Sequence, residues 1–357
     1  MSILRWGWNS YFEAIWNRAE HGSAVPARVV STARGMWRVA GDFGECAAEA
    51  AGKLRLAAEE GGDWPAVGDW VSVEVCDNAC VALILEVFPR RSRFVRKVAG
   101  RKISEQVIAA NVDTVLLVSA LDGDFNPRRV ERYLAQSWES GAKPVIVLNK
   151  ADACGTPHEL AEKMENVAMG VSVVLISAKT GQGFNELETY IIPRSTLVLL
   201  GSSGVGKSTI VNRLLGGAIQ EVQPVRESDS RGRHTTTTRE LFALPSGALL
   251  IDTPGLRELQ LWDADEGISQ AFADIESLAG LCRFGNCQHK GEPGCAVRQG
   301  IVDGTLDPAR LESWRKVLRE QEFLRRKIDL EARQNAKRRI KQIMKGVRRM
   351  YRERNAN

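Results

Sequence analysis

Short apolar runs alternate with longer stretches of helical periodicity between residues 112 and 255 of the chain. Runs typical of buried strands occupy residues 112–120, 144–148, 171–176 and 196–200. Between them, apolar positions recur at helical spacing over residues 127–140, 158–168 and 184–191. Such alternation predicts a parallel sheet with helices on both faces, a doubly wound α/β domain. Two further runs, 240–244 and 248–251, flank Pro245-Ser246-Gly247 and predict a hairpin.

The first hundred residues carry a different pattern. From residue 26 to 88, short apolar runs are broken by Gly, Asp and Asn, with examples at 27–30, 36–40, 70–75 and 81–87. Short strands with regular turn signals predict a five-stranded OB-type barrel, a frequent nucleic-acid binder, although the pattern does not separate it from an SH3-like barrel. The 25 residues before it are rich in aromatic side chains and predict a short docked helix without chemistry of its own.

Positive charge is concentrated in two segments of a chain whose net charge is +5. Residues 311–357 hold 16 Lys and Arg against 6 Asp and Glu, and residues 90–102 hold seven Lys and Arg with no acid. Clustered positive charge is typical of a polyanion contact, and beside an OB-type barrel it favours an RNA-facing surface. The alternatives are a solvated helix face for the first segment and a flexible linker for the second.

Length and composition suggest several domains, because the chain has 357 residues and 44% hydrophobic content. We predict an N-terminal extension (1–25), an OB-type β-barrel with a basic linker (26–100), a central α/β domain (106–265) and a C-terminal helical domain (266–357). Long helices are expected over residues 311–351. No apolar run approaches the ~18 residues of a membrane span and no secretion signal is visible, so we expect a cytoplasmic protein without membrane contact.

A phosphate loop follows the predicted strand at 196–200. It has the pattern Gly-x4-Gly-Lys-Ser and is continued by Thr209; its residues are Gly201, Ser202, Ser203, Gly204, Val205, Gly206, Lys207 and Ser208. Glycines there let backbone N–H groups converge on phosphate oxygens at a helix N-terminus. We expect Lys207 to reach the β and γ phosphates and the Ser208 hydroxyl to bind Mg²⁺.

Asp252-Thr253-Pro254-Gly255 follows an apolar strand about 45 residues beyond the phosphate loop. At this place Asp252 is expected to hold Mg²⁺ through water, and the Gly255 N–H to sense the γ-phosphate. The segment between them contains four consecutive threonines. One of them should complete the Mg²⁺ shell, and we favour Thr236 over Thr235.

Two further motifs predict a site for the guanine base. Asn149-Lys150-Ala151-Asp152 and Ser177-Ala178-Lys179 each follow a predicted strand. The Asp152 carboxylate can accept from the guanine ring N–H and amine together, a bidentate pair that adenine cannot form. We expect Asn149 to buttress the loop, Lys150 to pack along the base and the Ala178 N–H to donate to the guanine O6.

The order of these motifs is scrambled relative to an ordinary GTPase, in which the phosphate loop comes first and the base-reading motifs last. Here both base-reading motifs precede residue 201 and the Asp-x-x-Gly motif follows it. All parts are present, with the chain cut at a different connection. The sequence therefore predicts a circularly permuted P-loop G domain that binds GTP and GDP.

Many GTPases place a Gln directly after Asp-x-x-Gly to orient the attacking water, but this chain has Leu256 there. Intrinsic hydrolysis should therefore be slow or depend on another residue. His234, beside the threonine run, is the candidate catalytic residue that would position water or act as a base. The alternatives are a structural loop histidine and a group supplied in trans by a partner.

A cysteine cluster follows the G domain. Cys282-x4-Cys287-x-His289-x5-Cys295 offers three thiolates and one imidazole within 14 residues. Four such ligands form a closed tetrahedral site, so we predict a structural Zn²⁺ in a zinc-binding helical domain. The seven cysteines of the whole chain do not indicate a disulfide framework.

With these motifs the chain resembles the circularly permuted, ribosome small-subunit-dependent GTPase A (RsgA) family of bacteria. The resemblance covers about residues 26–350 and rests on Gly-Arg-His-Thr-Thr-Thr at 232–237, Asp-Thr-Pro-Gly at 252–255 and the cysteine spacing. It implies late maturation of the small (30S) ribosomal subunit, binding near the decoding region through 16S rRNA, and GTP hydrolysis that the subunit accelerates. It also assigns catalysis to His234.

Two other functions stay open at the level of sequence. One is a nucleotide-gated RNA-binding scaffold with little intrinsic hydrolysis, and the other is an assembly factor for a different RNA particle. We expect a monomer.

Overall fold

The computed structural model describes residues 2–33, 35–59, 64–76, 81–98, 104–123, 125–217, 239–252, 264–323 and 325–326. Its barrel is built from strands β1 (Val25–Ala33), β2 (Met36–Gly41), β3 (Gly44–Ala50), β4 (Trp70–Cys76) and β5 (Val81–Val87). The strands pair in the order β1-β2-β3-β5-β4, and β4 returns to β1 to close the barrel. Strands β3 and β5 run parallel and the other pairs antiparallel. The OB-type prediction is confirmed over the SH3-like alternative.

Residues Arg93–Val98 of the basic segment after the barrel form a strand, where the sequence predicted a linker. β6 (Arg93–Val98) pairs antiparallel with β7 (Ser104–Ala110). Arg90 does not face solvent, because its guanidinium forms a buried ion pair with Asp69 at 2.7 Å. Part of the positive charge in this segment therefore supports the fold, and the RNA-facing interpretation does not apply to Arg90.

The central domain has the predicted doubly wound form. Its strands are β8 (Thr114–Ala120), β9 (Lys143–Asn149), β10 (Val173–Leu175), β11 (Thr196–Leu200), β12 (Arg239–Ala243) and β13 (Leu249–Asp252). They lie in the order β10-β9-β8-β11-β13-β12, and all pairs are parallel except β12 with β13. The helices between them are α3 (Pro127–Ser140), α4 (Pro157–Val167), α5 (Phe184–Glu188) and α6 (Lys207–Leu214). The predicted hairpin of β12 and β13 is also confirmed.

The barrel and the central sheet are joined edge to edge. Strand β1 of the barrel pairs antiparallel with β12, with Ser31 opposite Glu240 and Thr32 opposite Arg239. The sequence did not indicate this contact, because strand patterns report burial and not the partner strand. Strand β12 is also the first described element after the segment that contains His234.

The N-terminal segment forms a 3-10 turn over Ile3–Trp6 and helix α1 (Ser10–Trp16). Trp6 and Phe12 are buried, and the Trp8 ring meets the Trp70 ring of the barrel edge-on at 4.8 Å between centroids. The predicted short helix docked by aromatic side chains is confirmed. Helix α2 (Gly52–Glu59) lies between β3 and β4.

Arg28 lies where the N-terminal segment, the barrel and the central sheet meet. Its side chain is 2% exposed. The guanidinium donates to the Trp6 carbonyl at 2.5 Å, to the Gly68 carbonyl at 3.2 Å and to the Thr196 hydroxyl at 2.8 Å. Burial lowers the pKa of Arg28 to about 10, against the raising effect of nearby carboxylates. One buried cation therefore supplies donors to three parts of the chain.

The C-terminal part is helical, as predicted. It contains α7 (Asp265–Ala271), α8 (Ala273–Ala279), α9 (Ala296–Val302) and helical residues at 308–323. Most of the basic segment 311–357 lies outside the described residues.

Glu131, fully buried on α3, accepts hydrogen bonds from Arg128 at 2.9 Å, from Arg310 at 3.0 Å and from Ser313. This carboxylate attaches the C-terminal helices to the central domain. Among the described helices, none has the length and apolarity needed to cross a bilayer.

We predict that Arg28→Met lowers the free energy of unfolding by about 3–5 kcal/mol, because it leaves buried carbonyls without donors. Urea unfolding followed by tryptophan fluorescence measures this change. Arg38→Met is the matched control, since Arg38 pairs with Glu45 on the barrel surface and should cost less than about 1 kcal/mol. Equal stability of the two variants would contradict the central role of Arg28.

Candidate nucleotide and metal sites

The phosphate loop connects strand β11 to helix α6, as the sequence predicted. Gly201, Gly204 and Gly206 have φ of 154°, 79° and 95°. A side chain at position 206 would meet the Asn149 amide nitrogen at 2.3 Å, and one at position 201 would meet the Val118 carbonyl at 2.3 Å. Glycine is therefore required at both places for conformation and for space.

Lys207 begins helix α6 and turns its ammonium group back to the loop. Its Nζ donates to the Gly201 carbonyl at 2.6 Å and also to the Ser202 carbonyl. These carbonyls hold the cation at the mouth of the loop. Ser203 and Gly204 are exposed, so the loop backbone is accessible from solvent. Such a nest of backbone N–H groups with a lysine beside it suits the phosphates of a nucleotide.

Asn149 joins the phosphate loop to the base-reading loops. Its amide nitrogen donates to the Val205 carbonyl at 2.8 Å, and its amide oxygen accepts from the Ala178 N–H at 2.9 Å. The side chain is 2% exposed. This geometry is the buttress that the sequence predicted. The sequence assigned the Ala178 N–H to the guanine O6, but in the structure this N–H donates to the Asn149 amide oxygen. A guanine O6 would have to share this donor with Asn149 or replace Asn149 as its acceptor.

The remaining base-site residues lie around this buried amide. Asp152 is exposed in the 3-10 turn Ala151–Ala153 that follows β9. Lys150 has a left-handed backbone with φ of 66°, and its ammonium lies 2.6 Å from an Asp122 carboxylate oxygen. Ser177 is buried, and its hydroxyl accepts from the Thr180 N–H at 3.1 Å, while Lys179 is exposed. The two base motifs thus meet at the carboxyl edge of neighbouring strands.

Arg213 supports the second base motif and was not identified from the sequence. From helix α6 its guanidinium donates to the Ala178 carbonyl at 3.3 Å and the Lys179 carbonyl at 3.4 Å. It also lies 5.2 Å from the centroid of the Phe184 ring. Since Arg213 belongs to no motif, only the packing of α6 against this loop reveals its role.

Asp252 ends strand β13, which runs parallel to β11 and therefore finishes at the same edge as the phosphate loop. This is the position that the sequence predicted for it. Residues Ser208 and Thr209 lie in the first turn of α6, directly after Lys207. The candidate catalytic His234, the Mg²⁺ ligand Thr236 with its alternative Thr235, and Gly255 with Leu256 lie outside the described residues.

A second site lies between α8 and α9. The ligand atoms of Cys282, Cys287, His289 and Cys295 all lie within 4.8 Å of one another. His289 Nδ1 is 3.6 Å from the Cys282 sulfur and 3.5 Å from the Cys295 sulfur, and those two sulfurs are 4.0 Å apart. A tetrahedral zinc ion requires about 3.6 Å between sulfur and nitrogen and about 3.8 Å between sulfurs. The four side chains can therefore hold a metal ion.

Residues behind the ligands fix the loop that carries His289. The Glu292 carboxylate accepts from the backbone N–H groups of Gln288, Lys290 and Gly291 at 2.7–2.9 Å. Backbone N–H groups, first its own and then that of Gly291, lower the pKa of Glu292 to about 2. Glu292 therefore stays ionised at neutral pH and keeps the loop closed.

His289 is oriented for ligation. Its backbone is left-handed with φ of 59°, and its carbonyl accepts from Arg315 at 2.6 Å. Burial, and next the Arg315 cation, lower the pKa of His289. A neutral imidazole is the form that binds metal ions. Arg315 belongs to the basic segment 311–357. Part of the positive charge of that segment therefore supports the loop that carries His289.

Comparison with known proteins agrees with both sites. The sequence model of the RsgA GTPase family matches residues 87–262 of this chain. The small ribosomal subunit biogenesis GTPase RsgA of Opitutus terrae is 43% identical over 98% of this chain and 97% of that protein. The protein of the same name from Syntrophotalea carbinolica is 43% identical over 99% of each chain.

Solved structures support the same assignment. The crystal structure of YjeQ from Thermotoga maritima superposes with a TM-score of 0.63 at 26% identity, covering 83% of this chain and 98% of that one. YloQ, described as a circularly permuted GTPase, superposes with a TM-score of 0.59 at 25% identity, covering 85% and 97%. The chain therefore belongs to the RsgA GTPase family and is a GTP-hydrolysing enzyme with a circularly permuted G domain.

Proposed function

We propose that this enzyme acts in late maturation of the small (30S) ribosomal subunit, where it binds 16S rRNA and hydrolyses GTP to GDP and phosphate. The names of its relatives from Opitutus terrae and Syntrophotalea carbinolica support the subunit as partner. The observation that carries the nucleotide assignment is the Asn149 amide, which ties Val205 of the phosphate loop to Ala178 of the base loop. A cytoplasmic monomer is the form we propose.

We propose that the phosphate loop, residues 201–209, binds the nucleotide phosphates and that Asp152 reads the guanine base. Mg²⁺ would be held by Ser208, by Thr236 and, through water, by Asp252. Ser208 follows Lys207 at the start of α6 and Asp252 ends the parallel neighbour of β11, which supports the first and last of these roles. The backbone N–H of Gly255, three residues after Asp252, would sense the γ-phosphate.

The Cys₃His cluster is proposed to hold one structural Zn²⁺. Three sulfurs and one nitrogen within 4.8 Å of one another fit zinc better than a hard cation, which prefers oxygen ligands. Four protein ligands would leave no open position for catalysis. The ion would fix the loop that Glu292 and Arg315 already hold, and with it the C-terminal domain at residues 266–357.

We propose that the edge contact between the barrel and the central sheet couples subunit binding to GTP hydrolysis. Strand β12 starts at Arg239, five residues after His234, and pairs with β1 of the barrel at residues 26–100. We propose that RNA contact by the barrel is transmitted through β1 and β12 to the reaction that His234 catalyses. The C-terminal domain would respond as well, because Cys282 follows Gly255 closely in the permuted chain. Equal subunit affinity of the GTP-analogue and GDP forms would contradict this coupling.

We predict that purified protein turns over GTP slowly alone and much faster with added 30S subunits, with 50S subunits having no effect. Phosphate release under multiple turnover measures the rates. The slow intrinsic rate follows from Leu256, which cannot orient water. Absence of stimulation with GTP still bound would favour the RNA-binding scaffold or a different RNA particle.

We predict that His234→Ala lowers kcat by about 10²–10⁴-fold, the usual contribution of a general base, while GDP affinity changes less than about twofold. Single-turnover hydrolysis on the subunit and GDP titration measure the two effects. His158→Ala, an exposed histidine on α4, is the matched control and should behave as wild type. Wild-type turnover of His234→Ala would assign catalysis to a group supplied in trans.

We predict that the purified chain carries about one zinc per molecule and that Cys295→Ser loses it. Loss of the ion should also lower the thermal midpoint of the protein, because ligand binding contributes to folding free energy. Elemental analysis and calorimetry measure both, with Cys76→Ser, an exposed cysteine of the barrel, as control. Metal content that is unchanged in Cys295→Ser would exclude the cluster as the site.

A further inference from the structure

Helix α3 sends an arginine to the phosphate loop. The Arg129 guanidinium Nη1 donates to the Ser202 hydroxyl at 2.7 Å across 73 residues of sequence. The start of the helix is fixed, since the Asn126 side chain accepts from the Arg129 N–H at 3.2 Å and Pro127 occupies the first turn. Arg129 is partly buried. No nucleotide-binding motif contains this residue, and none of the functions above uses it.

A second cation contacts the same loop residue. The Lys207 ammonium donates to the Ser202 carbonyl, while the Arg129 guanidinium binds the Ser202 hydroxyl. The lysine of a phosphate loop reaches the β and γ phosphates, so Ser202 lies at the end of the loop where the γ-phosphate binds. Two positive charges therefore converge on that end. Their combined field favours a nucleotide that carries one more phosphate.

Helix α3 is held from its other side, which keeps Arg129 in place. Arg128, the preceding residue, lies 2.9 Å from Glu131, and the same buried carboxylate accepts from Arg310 of the C-terminal helices. Arg310 also forms an ion pair with Asp274. The helix cannot follow a movement of the phosphate loop without breaking this buried network, so the Arg129 contact is a fixed point for the loop.

We propose that Arg129 is a positioning residue that increases the preference of this enzyme for GTP over GDP by acting through Ser202. In the structure Lys207 shares its ammonium between the Gly201 and Ser202 carbonyls. The ammonium has a third N–H, which can point to the phosphates while both carbonyls keep their hydrogen bonds. The Arg129 contact holds residue 202 in place while its charge adds to the field at the γ-phosphate. This inference rests on the proposed nucleotide site.

The test compares Arg129→Ala with wild type in titrations with GDP and with a non-hydrolysable GTP analogue. We expect Arg129→Ala to weaken binding of the GTP analogue by about fivefold to tenfold, as for loss of a charge-assisted hydrogen bond. Its affinity for GDP should fall by less than about twofold. Arg132→Ala is the matched control on the same helix, because Arg132 pairs with Glu320 at the surface. It should change neither affinity. Arg129→Lys should recover part of the loss.

Ser202→Ala provides an independent variant that removes the acceptor and leaves the arginine in the chain. We expect it to reduce the GTP-analogue preference in the same direction, and the double variant to be no worse than Arg129→Ala. Equal losses for both nucleotides, or no loss, in folded Arg129→Ala and Ser202→Ala would overturn the inference. Wild-type protein that binds neither nucleotide would instead refute the proposed nucleotide site.

Discussion

The buried side chain of Asn149 holds three loops of the nucleotide site together. It donates to the phosphate loop and accepts from the second base loop, while its own backbone begins the first base loop. Each loop leaves the carboxyl end of a parallel strand, β9, β10 or β11, so all three meet at one edge of the sheet. Gly206 is required beside it, because a side chain there would collide with the amide.

This constraint explains why a permuted chain keeps the site. The Asn149 contacts depend on which strands are neighbours and not on the order in which the chain visits them. Permutation instead changes what is attached at the edges. The barrel joins strand β12 through β1, and the C-terminal helices join α3 through the buried carboxylate of Glu131. Arg28 then ties the N-terminal segment and barrel to the start of β11. Both flanking domains therefore touch elements that also form the nucleotide site.

The sequence predicted the elements with strong periodicity well. Helix α3 and strand β11 have the predicted bounds, and the four cysteine and histidine ligands come together as their spacing indicated. Contacts between distant segments were not predictable, because neither periodicity nor motif spacing encodes them. The sequence predicts a basic linker where the structure has β6, because the pairing of this strand with β7 is a contact that a run of basic residues does not indicate. Arg213 and Arg129 were missed for the same reason, because each acts on a loop that is remote in sequence.

The most direct test of the permuted site is the affinity of the wild-type chain for GDP compared with ADP, measured by calorimetry in the presence of Mg²⁺. If Asp152 reads the base in a site that Asn149 holds together, GDP should bind more tightly by about 10⁴-fold, as for other sites built to satisfy specific polar groups. Similar affinities for the two nucleotides would contradict the account, because the base-reading loops would then not form a guanine site.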